Sequence, residues 1–444
     1  MLRAEPAALS DDELLDRYQR AAFDYFLENA NPENGLVTDT SRPNSPASIA
    51  VVGFALSCYP IGVERGWMTR DAAAKLTLAA LRFFWTSPQG NGDEDVTGHK
   101  GFYYHFLDMR TGLRVWRCEL SMVDTALLIA GMLVAGSYFS GENEQEAEIR
   151  KLSEALYRRV DWRWAQGSTP TLRQGWKPKS GFLHYGWEGY NEATILYVLS
   201  MASPDSPTSD DSYAGWTATY QWENIYGYDV LYGGPLFMHQ FSHAWIDFAG
   251  IRDAFMREKN SDYFENSRRA THLHRDYARH NPYSFDGYDE NLWGLSAGDG
   301  PGGFRTSVQR QRRRFSGYAA RGAPFGPDDG TIAPWSYPAS LPFAPEICLA
   351  ALRHLGDRYP EVIDNFRLPS GFNPTLANRR KFGKHGWVSE GHYGLDQGIV
   401  VMMIENHRSR LIWQLMRSNQ HIRRGLRKAG FTGGWLSRDG GDGA

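Results

Sequence analysis

Residues 121–139 read SMVDTALLIAGMLVAGSYF, and this stretch decides the fold class. Apolar side chains return at i, i+3, i+4 and i+7, the signature of a helix with a buried face. Ser121 with Asp124 three residues later matches a capping box, so the helix starts there. Gly131, Gly136 and Ser137 interrupt the apolar run, and it is too short to span a bilayer. The same periodicity recurs over 10–29, 47–65, 69–85, 142–159, 191–201, 234–247, 261–281, 339–354 and 396–418. Strand-like alternation is scarce, and no fixed-period repeat is present. An all-α fold of about ten to twelve helices with loops gathered at one end follows. An (α/α)6 toroid fits this description, as do other all-α architectures. Between the helices, 167–189, 210–233 and 281–338 read as long loops rich in Gly, Trp, Tyr and Asp, and loops of that length are usually functional.

At 444 residues, one large catalytic domain over 1–444 is expected, with 1–9 and 437–444 as flexible tails. Aromatic residues make up 14% of the chain, and the flat faces and polar edges of Trp and Tyr suit sugar rings. A net charge of -3 provides no field to gather nucleic acid or anionic membrane. The basic run Gln309-Arg-Gln-Arg-Arg-Arg314 reads as a solvated loop. Cys58, Cys118 and Cys348 are too few and too scattered for a disulfide framework or a cysteine metal site. The N-terminus shows no apolar signal-peptide core. A soluble protein is expected, cytoplasmic, or periplasmic or secreted if a leader has been removed.

Three carboxylates stand at predicted helix starts: Asp124, Glu192 and Asp396. Each alone reads first as a cap or a partner of the helix dipole. In a ring of alternating helices, however, the inner helices open on one end, and residues scattered in sequence converge on one cavity. Glycoside hydrolysis needs such a cluster: a protonated acid for the leaving oxygen and an ionised carboxylate for water or the sugar. Glu192, crowded by Trp187, Glu188 and Tyr190, is the candidate acid, because burial and a neighbouring carboxylate raise a pKa. Asp396 is then the candidate base. His239 and His243 stand at i, i+4 with Asp247 beyond; packing outweighs metal binding there, and no metal or other cofactor is expected. Asp299-Gly-Pro-Gly-Gly and Asp328-Asp-Gly read as turns. Walker, GxGxxG and GxSxG motifs are absent, which disfavours nucleotide and serine-hydrolase chemistry.

Ordered blocks along the chain carry a further reading. Gly101-Phe-Tyr-Tyr-His-Phe-Leu-Asp108, Glu119-Leu-Ser-Met-Val-Asp124, Trp187-Glu-Gly-Tyr-Asn-Glu192, His239-Gln-Phe-Ser-His-Ala-Trp245, Gly294-Leu-Ser-Ala-Gly-Asp299, Pro324 to Pro334 and Gly394-Leu-Asp-Gln397 resemble the glucoamylase-like domain family. That family includes the bacterial endo-β-1,2-glucanases of glycoside hydrolase family 144. The resemblance implies an (α/α)6 barrel, a cleft for β-1,2-glucan and acid/base work by Glu119, Asp124, Glu192 and Asp396. It also implies that His239, Gln240, His243, Trp245 and Asp299 lie near the cleft. Glu188, Trp116, Trp187, Tyr190 and Trp335 complete the expected substrate-binding set. The expected function is hydrolysis of a β-glucan chain, endo in mode. Exo cleavage or transglycosylation, and a non-catalytic glycan-binding protein of the same fold, are the alternatives. The glucan is the expected partner, and oligomeric state is left open.

Overall fold

Several helices begin here where a side chain satisfies a free amide. In the computed structural model of the chain, which describes residues 9–308, 310–378 and 382–437, Ser10 and Glu13 form a reciprocal capping box at the start of α1 (Asp11–Glu28). There follow α2 (Ile49–Glu64), α3 (Arg70–Thr86), α4 (Met122–Tyr138), α5 (Glu144–Arg159), α6 (Trp162–Gln166), α7 (Thr194–Ala202) and α8 (Ser212–Thr217). The second half holds α9 (Ala254–Glu258), α10 (Tyr263–His280), α11 (Ser336–Ala339), α12 (Pro345–Arg358), α13 (Gly394–Arg408), α14 (Leu411–Ser418) and α15 (Gln420–Lys428). Residues 1–8 and 438–444 of the expected tails, and Gln309 of the basic run, lie outside the described residues.

The helices fall into two kinds. α2, α4, α7 and α13 are buried almost all round, as helices apolar on every face must be. α1, α5 and α10 bury one stripe and turn a charged face outward. α2 packs on α4 and α13, and α4 packs on α7. Outside them, α1 lies on α13, α5 on α4 and α15 on α7. The α2 and α4 backbones touch at paired glycines: a Cβ on Gly131 would lie 2.1 Å from the Gly53 carbonyl oxygen. One hydrophobic core runs through these layers, and a small second cluster joins Val308, Phe315 and Leu376. No helix among the described residues is long and apolar enough to cross a membrane.

Four expectations need correction. Residues 234–247 form two short 3-10 turns, Leu236–His239 and Ser242–Ala244, and no α-helix. Their apolar spacing reports burial on all sides, and the Gln240 amide is committed to the Ser336 carbonyl at 3.0 Å and to Ser340 Oγ at 2.7 Å. The 396–418 segment divides at Arg410, whose φ of 62° breaks the helix. Residues 339–354 hold their helix later, starting at Pro345, a residue suited to a first turn. The basic run is no loop, since Gln311–Phe315 pairs antiparallel with Phe304–Val308.

Short antiparallel ladders organise the long connections. One sheet joins, in order, Gly98–His99, Phe102–Tyr104, Leu120–Ser121, Gly175–Lys177 and Gly181–Phe182. Leu120–Ser121 leads directly into α4. Ala47–Ser48, which leads into α2, pairs with Phe106–Leu107. The starts of two inner helices are thereby tied together.

Candidate active site

The register of that sheet places the first charged cluster. Tyr104 pairs with Leu120, so His105 and Glu119 stand side by side one step further on. His105 Nδ1 lies 2.9 Å from Glu119 Oε1 and its Nε2 3.5 Å from Asp124 Oδ2. Ser121 accepts the Asp124 amide, the cap expected of it, and its hydroxyl donates to Asp124 Oδ2 at 2.6 Å. Burial opposes a charge on His105, but Asp124, Glu119 and Asp39 outweigh it and raise the imidazole to about 9. The hydrogen bond from His105 in turn holds Glu119 down at about 2.

Glu192 arrives from another direction. α7 has no side-chain cap of its own. Ser242, on the second 3-10 turn, supplies one across the fold: it accepts the Ile195 amide at 3.1 Å and donates to the Glu192 carbonyl at 2.7 Å. Asn191 accepts the Ala193 amide at 2.9 Å. The Glu192 carboxyl takes a hydrogen bond from its own backbone amide, and its Oε2 is buried without a partner. Burial pushes it up to about 7, with Asp124 adding to the shift.

Asp396 lies inside the first turn of α13, with Tyr393 as the N-cap. The expectation that Asp396 caps this helix is therefore corrected. Its Oδ2 is also buried without a partner. Burial raises its pKa well above the ordinary carboxylate range, and Asp39 and Asp299 reinforce this. Asp39 itself, on the 38–46 loop, is raised to about 6 by burial. That loop is stitched to α13 by the Gly394 amide, which donates to the Asp39 carbonyl at 2.8 Å.

These groups face one cavity of about 660 Å³ where α4, α7 and α13 begin. Asp39, His105, Asp124, Glu192 and Asp396 line it. Trp116 and Trp335 line it too, one 69% exposed at the rim and the other buried. Trp116 and Arg117 both have positive φ, 57° and 48°, an uncommon pair for side-chain-bearing residues that turns the indole outward. Arg42 spans the mouth: its Nε donates to the Glu390 carbonyl at 2.7 Å, its Nη1 to Tyr393 OH at 3.2 Å, and it forms an ion pair with Asp299.

Of the expected catalytic set, Asp124, Glu192 and Asp396 meet in this cavity, and Glu119 reaches it through His105. The expected binding set divides. Trp116 and Trp335 are on the wall, and Asp299 is one contact behind it. His239, Gln240, His243 and Trp245 do not line it. His239 and His243 are buried on separate partners, Asn266 and Ser267, and burial lowers each to about 3. Asp247 is paired with Arg417, so the three form no shared face. Trp245 donates to Ser57 Oγ in the core. Tyr190 packs on His239 and Tyr263, and the Trp187 carbonyl accepts Tyr197 OH at 2.8 Å. Glu188 lines a separate cleft beside Thr171. Sequence reasoning missed Asp39, Arg42, His105, Tyr318 and Tyr393. The polar stretch Asp39-Thr-Ser-Arg42 precedes a wholly apolar helix, the same signal that marked Asp124, and would have flagged the first two.

Comparison with known proteins adds a relationship to this geometry. The family model described as "Putative glucoamylase" matches residues 184–420. An exo β-1,2-glucooligosaccharide sophorohydrolase (non-reducing end) of Parabacteroides distasonis is 28% identical over 95% of this chain; the chain spans 58% of that relative's length. Among solved structures, a protein of Bacteroides uniformis described as a "putative glucoamylase" has 30% identity and a TM-score of 0.85, covering 97% of this chain and 100% of its own. The endo-β-1,2-glucanase of Chitinophaga pinensis, solved with sophorotriose and glucose, has 26% identity and a TM-score of 0.83, covering 96% and 100%.

Proposed function

We propose that this chain, which belongs to the glucoamylase-like family whose model matches more than half of it, is a glycoside hydrolase cutting β-1,2-linked glucan on a single (α/α)6 catalytic domain. One observation carries the reading: Glu192 and Asp396 line the same cavity, and each keeps one carboxyl oxygen, Oε2 and Oδ2, buried without a partner in its wall. A carboxyl left unpaired in a dry wall is costly unless a ligand completes it. The names of the relatives supply the linkage.

In this mechanism Glu192 donates its proton to the glycosidic oxygen as the C–O bond breaks. At about 7 it retains a proton near neutral pH, as a general acid must. Asp396 works in its ionised form, against the burial that favours its protonated one. A carboxylate whose pKa is raised is a strong proton acceptor, and it either takes a proton from the attacking water or bonds the anomeric carbon itself. The anomer released first distinguishes the two. Charged His105 fixes Glu119 and Asp124 on the opposite wall, and Trp116 offers an aromatic face for a sugar ring.

The expected endo mode has an exo rival with an observation of its own. Arg42 bridges from the 38–46 loop to Glu390 and Asp299, closing one side of the mouth. A time course on linear β-1,2-glucan separates them: a ladder of oligosaccharides marks endo cleavage, one small product from the outset marks exo cleavage, and products longer than the substrate mark transfer. Glu192→Gln is expected to lower kcat at least about a hundredfold with Tm held. Near wild-type turnover in that variant would overturn the assignment of the acid.

A further inference from the structure

The hairpin Phe304–Val308 and Gln311–Phe315 plays no part in the chemistry above. Its register pairs Arg305 with Arg314, Ser307 with Arg312, and Phe304 with Phe315. Alternation along a strand then sorts the faces. Phe304, Val308 and Phe315 turn inward onto Leu376, Phe382 and Trp387, while Arg305, Arg312 and Arg314 all turn outward and are exposed. Arg305 and Arg314 are directly opposite, an arrangement that costs stability for like charges. Neither they nor Arg312 makes an ion pair or a side-chain hydrogen bond among the described residues. By contrast Arg313, on the inner face, is committed to the Tyr283 carbonyl at 2.5 Å and to the ring of Phe285.

The root of this hairpin is the wall of the cavity. Immediately beyond Phe315, Tyr318 and Ala320 line it. Ala319–Ala320 pairs with Ala297–Gly298, and Ala297 is on the wall as well. A buried ion pair holds the root: Arg321 Nε donates to Asp329 Oδ1 at 2.7 Å, Asp329 Oδ2 accepts the Ser316 amide at 2.9 Å, and Arg321 Nη2 donates to the Gly317 carbonyl at 3.1 Å. The strand that carries Arg312 and Arg314 therefore leads directly into the cavity wall at Tyr318.

We propose that this arginine face binds anionic substituents carried by the glucan, so that the protein prefers charged β-glucan chains to neutral ones. An unsubstituted glucan offers only neutral hydroxyls to these guanidinium groups, which have no partner among the described residues, whereas carboxylate or phosphate esters match them in charge and fork geometry. The site's position at the mouth favours a substituent on the substrate over a membrane surface. The inference rests on the glucanase reading above.

The test compares kcat/KM for linear β-1,2-glucan and for the same glucan partly O-succinylated, in wild type and in the triple variant R305S/R312S/R314S. Turnover of the neutral glucan reads the glucanase assignment, and the ratio of the two substrates reads this inference. The expected result is a wild-type preference for the succinylated chain of about tenfold, lost in the triple variant and lost in wild type at about 1 M NaCl, where the Debye length falls to about 3 Å. The neutral substrate is expected to stay within about twofold. Equal rates on both glucans, or a preference that survives the substitutions, would overturn the proposal. Sedimentation of wild type with phosphatidylglycerol vesicles, without a substrate preference, would overturn it in favour of a lipid surface.

Discussion

At the residue scale, His105 is the least replaceable group in the charged cluster. It joins a carboxylate just before the Leu120–Ser121 strand to one in the first turn of α4, and it does so as a cation because three carboxylates surround it. Its folded pKa of about 9 lies above the ordinary 6.5. The stability it contributes is therefore fully present below 6.5 and lost as pH rises through about 9. Glu119 has the opposite sign: lowered to about 2, its contribution is present above the ordinary 4.5 and lost as pH falls through about 2. His105→Gln is expected to flatten the fall in Tm between pH 6.5 and 9 that wild type shows, and an unchanged slope would remove the cation from this account. Asp124 joins capping and a place on the cavity wall in one residue, since its carboxylate also accepts from the capping Ser121 hydroxyl. Its backbone amide completes the cap with Ser121, while its carboxylate faces the cavity.

At the element scale, the segment 234–247 changes meaning most. Read as a helix, it offered His239 and His243 as a face. Folded as two 3-10 turns, it buttresses α7 through Ser242. Ser242→Ala is expected to cost about 1 kcal/mol of stability, the usual effect of losing a helix cap. It also frees the backbone at Glu192, so kcat is expected to fall by more than that stability loss explains. Thermal unfolding and kcat measured on one preparation check this, and a loss of Tm with normal kcat would confine Ser242 to capping. The paired glycines of α2 and α4 serve the same end, since their contact sets how closely two inner helices approach.

At the scale of the whole molecule, one loop and three helix starts bring carboxyl groups of unequal acidity into one cavity. Asp124 adds to the rise of both Glu192, at about 7, and Asp39, at about 6, and Asp39 adds to that of Asp396, so their titrations belong to the set. The kcat/KM profile on β-1,2-glucan is expected to be bell-shaped, with one limb near pH 7, and a flat profile between pH 5 and 8 would argue against carboxyl acid/base chemistry. Sequence by itself determined the helical class, because burial of an apolar face imposes a period near 3.6 that survives in Ser121 to Phe139 without any knowledge of partners. It also marked Asp124, Glu192 and Asp396, because polar residues at the start of apolar helices are conspicuous. Tertiary structure alone decided that these three share a cavity, that Asp39, Arg42 and His105 join them, and that His239, Gln240, His243 and Trp245 lie off its wall. The physical reason is that a carboxyl's acidity and a histidine's role depend on what surrounds them in space. Strand register and helix crossing set those surroundings through contacts between residues far apart in the chain.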